Sequence, residues 1–388
     1  MGGSGVVLAA YGRFIRLDCL GVAGGPGGRW PMVRDVRLEW ARAQLVGGGV
    51  RAGSVDGVVR QVFAVQAQDV LAGELGLRVR AQGVSRGDVR RAVEGERSVV
   101  RGWFMRGTLH FVAAGDVRWL LGLYGERVVA GSAARYRALG LDEAVTRRAL
   151  KVIAGAVADG PCTRAGITER LVPLGVDGGG QAPVHLIRRA ALTGVICEGP
   201  RVGGEPAYVP AEEWLPRGEG PVGEAAVVEL AVRYRRAYGP AAAEDFAGWA
   251  GLPLGMARKA WAGLRPVRAA DTPPAPHSTA PADPGTAPTA PGAAPSAGAD
   301  PDPRLLPAYD GYWLGHRDRT PALPDAAEAP RTLAPGGGQI RAAVIVDGLF
   351  AGTWSRTRQA GVRVDMLPGA VEPHGLAGEI QDVERFLA

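Results

Sequence analysis

Lysine is almost missing from this chain of 388 residues: Lys151 and Lys259 are the only two. Schiff-base chemistry on a side-chain amine therefore has few places to occur, with the N-terminal amine as the remaining option. Cysteine is scarce too. Cys19, Cys162 and Cys197 are scattered, fit no metal-ligand spacing and are odd in number. That pattern argues for reduced thiols in a cytoplasmic protein and against a disulfide framework. No apolar run approaches the length needed to cross a membrane. Val6–Ala10 is short, lacks a basic leader and is followed by Arg13 and Arg16, so it reads poorly as a signal peptide. Asp18 before Cys19 is unsuited to a lipoprotein cleavage site. Nothing in this residue set calls for a metal, another cofactor or a membrane.

Arginine is abundant instead. The formal net charge is +6, with a pI near 9.5, and nearly all the positive charge is guanidinium. This favours a polyanionic partner, and arginine suits bidentate phosphate and guanine contacts. A GC-rich gene would give the same bias, together with the abundant glycine and alanine. The hydrophobic content of 46% is ordinary for a globular protein, and the length exceeds one typical domain.

Helical spacing and turn residues divide the chain. Arg34–Leu45 reads as a first helix, with Val36, Trp40, Ala43 and Leu45 inward. Ser54 or Asp56 caps a second helix carrying Val58, Val59, Val62, Phe63 and Val65, which ends at or near Gln66. Asp69 caps a third over Val70–Ala81, although Leu75–Arg80 also alternates like a strand. Ser85 starts a further helix. Ser98–Trp103 and Thr108–Val112 form a hairpin turning on Met105-Arg106-Gly107, and Asp116–Tyr124 is helical. A second group follows. Asp142 caps a helix through Ala158, and Thr163 caps one to Leu171. Gln181–Thr193 is a candidate recognition helix, with Val184, Ile187 and Ala191 on its apolar side. Val195–Glu198 and Ala207–Val209 make a wing around a Gly/Pro-rich turn. In the third group, helices span Glu224–Tyr238, Ala242–Ala250 and Pro253–Leu264. After residues 269–303, a Pro/Ala/Gly/Thr stretch read as a disordered insertion, strands flank the Asp347-Gly348 turn. Gly361–Met366 is a further strand, and Gly378–Leu387 closes the chain as a helix.

Two blocks carry candidate chemistry. In Val65-Gln66-Ala67-Gln68-Asp69, two glutamines flank one small residue. Residues i and i+2 share a face on a strand but not on a regular helix. For both to act on one atom, the backbone there must leave helical geometry. Taken alone, such spacing occurs often by chance and fits surface glutamines. The second block, Val100–Val112, holds Arg101, Arg106, Thr108 and His110, which suit phosphate contacts or a pocket lining. A lone histidine such as His110 is more commonly structural. His185, Arg188 and Arg189 lie together on the candidate recognition helix and are further DNA-contact candidates. So are His316 and Arg319, after Leu305–Gly315. Asp310 and the polar groups near it suit either a DNA cleft or a buried ion pair.

These blocks, with Asp245-Phe246-Ala247-Gly248-Trp249-Ala250-Gly251-Leu252-Pro253, resemble the AlkZ-like winged-helix DNA glycosylases over most of 35–357. One branch of that family carries Gln-x-Gln, as here, and the other Gln-x-Asp. The resemblance implies a mainly α fold with small β-hairpins (α+β), built as tandem winged-helix units in a C-shaped body. The Gly-rich residues before it read as a disordered extension over 1–33, and because the resemblance begins just after Met32, that residue is an alternative start. Winged-helix units are then expected over 34–140, 141–218 and 219–388, the last including a β-rich C-terminal part. The resemblance also implies catalysis by Gln66 and Gln68 in a monofunctional, monomeric glycosylase. Its expected substrate is double-stranded DNA carrying alkylated purines, including bulky adducts or interstrand crosslinks, in repair or genotoxin self-resistance. The chemistry is coherent. A purine alkylated on a ring nitrogen is already cationic and leaves without protonation, so neutral amides that place a water suffice. The competing readings are a non-catalytic winged-helix DNA-binding regulator and an RNA- or nucleotide-binding scaffold.

Overall fold

A computed structural model of the chain describes residues 33–264, 301–357 and 361–388. The expected N-terminal extension, the alternative start and most of the expected insertion lie outside the described residues. The insertion's expected end at Pro303 is too late, because Pro303 already opens a strand paired with Val346.

The first part of the chain forms α1 (Val33–Ala43), α2 (Val55–Val62), β1 (Val65–Gln66), α3 (Val70–Arg78), α4 (Arg86–Arg90), β2 (Val99–Trp103), β3 (Leu109–Ala113) and α5 (Val117–Gly131). Ser54 caps α2 by accepting from the Gly57 amide, while Asp56 pairs with Arg60. Asp69 caps α3, and Ser85 with Asp88 makes a capping box on α4. The strand-like alternation at Leu75–Arg80 resolves as helix and helix end. Gly73 through Arg78 are all buried, so α3 has no polar face to impose a helical stripe. The hairpin β2–β3 gains a third strand, giving the order β1-β3-β2.

The middle part runs through α6 (Ala133–Ala138), α7 (Glu143–Val157), β4 (Cys162–Thr163), α8 (Arg164–Leu171), α9 (Ala182–Leu192), β5 (Ile196–Glu198), β6 (Ala207–Pro210) and α10 (Ala211–Trp214). Its sheet has the order β4-β6-β5. Ile153, Ile167, Leu171, Leu186 and Ile196 form its core.

The last part contains α11 (Gly223–Tyr238), α12 (Ala243–Ala250), α13 (Leu254–Ala262), β7 (Pro303–Leu306), α14 (Gly311–Leu314), α15 (Ala329–Leu333), β8 (Ala343–Val346), β9 (Leu349–Thr357), β10 (Gly361–Met366) and α16 (Leu376–Leu387). Its sheet has the order β10-β9-β8-β7. The fold is thus mainly helical with small antiparallel sheets.

Phe63, Phe104 and Met105 share a core with Tyr234, Tyr238, Phe246 and Trp249, so the β2–β3 turn is embedded against α11 and α12. Buried ion pairs tie the parts together as well. Arg80 meets Asp310 at 2.7 Å with both side chains 1% exposed, and Arg78 meets Glu379 at 2.7 Å. Of the two options for Asp310, the ion pair is the one formed, and its partner is Arg80.

Candidate active site

Helix α2 stops at Val62 because Phe63 turns to a left-handed φ of 66°. The next residues run extended. Val65 pairs with Phe111, Gln66 pairs with His110, and the Ala67 amide donates to the Leu109 carbonyl at 2.8 Å. The motif therefore leaves helical geometry: Val65 and Gln66 are strand, Ala67 keeps one ladder bond, and the chain bends at Gln68 and Asp69. Close packing holds it there. Ala67 is fully buried, and a Cβ on Gly73 of α3 would lie 2.7 Å from the Ala67 Cβ. Only a glycine lets α3 cross so near.

Each glutamine side chain is anchored through its oxygen. Gln68, which is exposed, accepts from the Leu109 amide through Oε1 at 3.2 Å. Gln66, half-buried, accepts through Oε1 from Arg106 Nη2 at 3.4 Å. Because both anchors are N–H donors, each amide's oxygen and nitrogen are distinguished. One oxygen lone pair and the NH2 group of each glutamine stay available in this pattern.

Arg101 holds the backbone of the motif. Its Nε donates to the Ala67 carbonyl at 2.8 Å and its Nη2 to the Gln68 carbonyl at 3.4 Å, while Nη1 meets Glu198 of β5 at 2.6 Å. Burial pushes the Glu198 carboxyl above its usual range, against the pull of Arg101. Arg101 was expected to hold a DNA phosphate; it is buried, and each of its three nitrogens has a partner inside the protein.

His110 lies across from Gln66. Burial first, then the charge of Arg106, lowers its pKa to about 3, against the pull of the Thr108 carbonyl 3.0 Å from Nδ1. A carbonyl only accepts, so Nδ1 carries the hydrogen and neutral Nε2 is left as an acceptor. Thr108 donates its hydroxyl to the Met105 carbonyl at 3.1 Å. Gln66, Arg106, His110, Tyr238 and Trp249 line a narrow crevice between the hairpin and the last part of the chain.

The remaining candidates are not brought to this place. His185 and Arg188 are buried on α9. Arg188 Nη2 donates to the Gly107 carbonyl at 3.0 Å, bracing the hairpin turn. Arg189 pairs with Glu143 at 3.1 Å and lies over the Tyr136 ring. The expected recognition helix is thus nearly enclosed, and its outward residue is Val184, expected inward but 40% exposed. His316 is buried, stacked on Trp40 at 3.7 Å with Nε2 2.7 Å from the Tyr238 carbonyl. Arg319 Nε donates to the Trp313 carbonyl at 2.6 Å. Glu198, Tyr238 and Trp249 were not anticipated as neighbours of the site. No local spacing marks them, since Arg101 reaches Glu198 across 97 positions and Arg106 reaches the Trp249 carbonyl across 143.

Among the described residues, no group of three or more His, Cys, Asp or Glu lies together to hold a metal ion, and no helix is long and apolar enough to cross a membrane. No curated protein matches the sequence. A solved structure, the Streptomyces sahachiroi DNA glycosylase AlkZ, superposes with a TM-score of 0.69 at 22% identity, covering 91% of this chain and 96% of that one. The sequence model of the family described as DNA glycosylase AlkZ-like matches residues 59–386. The chain therefore belongs to the AlkZ-like DNA glycosylase family and is a DNA glycosylase, a hydrolase of the N-glycosidic bond between base and sugar.

Proposed function

We propose that the enzyme excises purines alkylated on a ring nitrogen, bulky adducts and crosslinked bases included, and that Gln66 and Gln68 carry the reaction. The observation that supports this most is the departure from helix at the motif, strand at Gln66 and a bend at Gln68, with both amide oxygens anchored by fixed donors. In the reaction, the C1′–N9 electron pair leaves with the base and neutralises its positive charge. The sugar becomes oxocarbenium-like, and a water oxygen bonds to C1′. The second lone pair of Gln68 Oε1 accepts one of that water's hydrogens, and the proton passes to solvent. Gln66, its oxygen held by Arg106, presents its NH2 group to the same region and helps hold the water. No carboxylic acid is required, because the leaving base needs no protonation. Undamaged bases are poor leaving groups and are left alone.

An open approach suits the geometry. The crevice behind Gln66 has no room for a purine, whereas Gln68 is exposed. A lesion presented at the surface needs no snug pocket, and snug pockets exclude bulky or tethered bases. The regulator alternative falls with the family assignment, and the enclosure of α9 removes the surface it needed.

The test is single-turnover excision from a duplex carrying one N7-methylguanine, read as alkali-labile abasic sites. Gln68→Ala and Gln66→Ala should each slow excision by roughly a hundredfold to a thousandfold, the usual effect of losing a preorganised polar group. DNA affinity and thermal stability should stay near wild type. Wild-type rates in both stable variants would overturn the glutamine mechanism. Absence of excision by the wild type on every alkylated purine tried would overturn the substrate class.

A further inference from the structure

Arg106 combines features that a simple surface contact does not explain. Its backbone is left-handed, with φ 55° and ψ 9°, at a turn whose next residue, Gly107, is left-handed too. Glycine would adopt this conformation freely, so a side chain kept here has a job that outweighs the strain. The guanidinium is enclosed in the crevice with Gln66, His110, Tyr238 and Trp249. Among the described residues its hydrogen-bond partners are two neutral carbonyl oxygens: the Gln66 side chain at 3.4 Å and the Trp249 backbone. None of the ion pairs among those residues includes it, and burial lowers its pKa.

We propose that Arg106 is the positioning residue for Gln66: its guanidinium fixes which way the Gln66 amide faces and ties that amide to α12. The inference rests on Gln66 taking part in excision. A fork donor gripping a backbone carbonyl with one nitrogen has little freedom in the other. The amide oxygen of Gln66 is therefore turned towards Arg106, and its NH2 is turned away. His110, across the ladder, has a neutral Nε2 lone pair and adds no competing donor there. The helix end opposite is shaped for the same contact. Gly251 is left-handed, and a Cβ on it would fall 3.0 Å from Arg106 Cγ and 3.1 Å from its backbone nitrogen.

A plain staple between hairpin and helix would use the same bonds, so the test must separate stability from rate. Arg106→Gly suits the left-handed backbone and removes the side chain without new strain. Arg106→Met keeps the apolar stem and serves if the glycine variant fails to fold. Both are compared with Gln66→Ala and with the double variants by single-turnover excision of N7-methylguanine at saturating enzyme. Melting temperature and affinity for the unmodified duplex are measured alongside. The Arg106 variants should lose roughly ten- to a hundredfold in the saturated rate, with affinity little changed. Adding Gln66→Ala should cost nothing further than Gln66→Ala alone. Low guanidinium ion should restore part of the rate of Arg106→Gly and none of that of Gln66→Ala. Wild-type rates in the Arg106 variants, losses that multiply with Gln66→Ala, or a loss of melting temperature alone would overturn the inference. If instead Gln66→Ala by itself runs at the wild-type rate, the glutamine reading has failed, and that result needs no Arg106 variant to see.

Discussion

Arg101→Met is the sharpest probe of how the motif is held. Arg101 and Glu198 are 8% and 10% exposed in their side chains and meet at 2.6 Å. Removing one member of such a pair strands the other, at a cost of about 3–5 kcal/mol. A shortfall of that size corresponds to a fall in melting temperature of roughly 5–10 °C. The stranded group has an escape, because a carboxyl takes a proton. Burial already raises the Glu198 pKa, and losing the guanidinium, which lowers it, must raise it further. The sign follows. A carboxyl whose folded pKa lies above its unfolded value holds its proton more tightly when folded. Stability is then fully present below the ordinary glutamate range and is lost as pH rises through the folded pKa. The deficit of Arg101→Met relative to wild type should thus be small near pH 5 and large at pH 8. Adding Glu198→Gln should recover much of it at pH 8 and little at pH 5. Melting curves of wild type, Arg101→Met and the double variant at both pH values make the measurement. Excision should also slow, by about tenfold, because the Ala67 and Gln68 carbonyls lose their donors. A deficit equal at pH 5 and pH 8, and untouched by Glu198→Gln, would refute the reasoning.

Three further outcomes are expected. His110, with its pKa lowered to about 3, should stay neutral and Nδ1-protonated from pH 5 to 8 in nitrogen-detected NMR, so an imidazolium signal at pH 6 would contradict the burial argument. Since its folded pKa is depressed, its contribution to stability should be lost as pH falls from about 6.5 towards 3, and His110→Asn should flatten that slope. Arg188→Met should lower the melting temperature, because Arg188 braces the hairpin turn, and should leave the salt dependence of DNA binding unchanged. A salt slope reduced by about one would instead place Arg188 on a phosphate.

Much of the fold was legible because it is written locally. Ser54, Asp69, Ser85, Asp142 and Thr163 cap the helices that follow them. Asp347-Gly348 makes the turn between β8 and β9. What the sequence hid was long-range. Nothing in Val65–Gln68 announces that the motif adds a strand to the β2–β3 hairpin, since the partner residues lie more than forty positions on. Polarity misled on α9, where His185 and Arg188 suggested a solvent face. A buried arginine and a surface arginine read alike until the carbonyl that receives the buried one is seen. Val184 gave the opposite error, an apolar residue left outward.

The two hairpin arginines divide the work by geometry. Arg101 is paired across β2–β3 with Phe111, and so lies on the sheet face opposite the one that His110 shares with Gln66. From that side it holds the peptide carbonyls of Ala67 and Gln68 and reaches Glu198 in the middle part of the chain. Arg106 holds the side chain of Gln66 from the other side and reaches the Trp249 carbonyl in the last part. A two-residue strand cannot fix its own side chains, since it has one neighbouring strand and few ladder bonds. Here its precision is borrowed from two distant regions, each through one guanidinium. Packing changes in β5 or α12 should therefore register at the glutamines even though neither element supplies one.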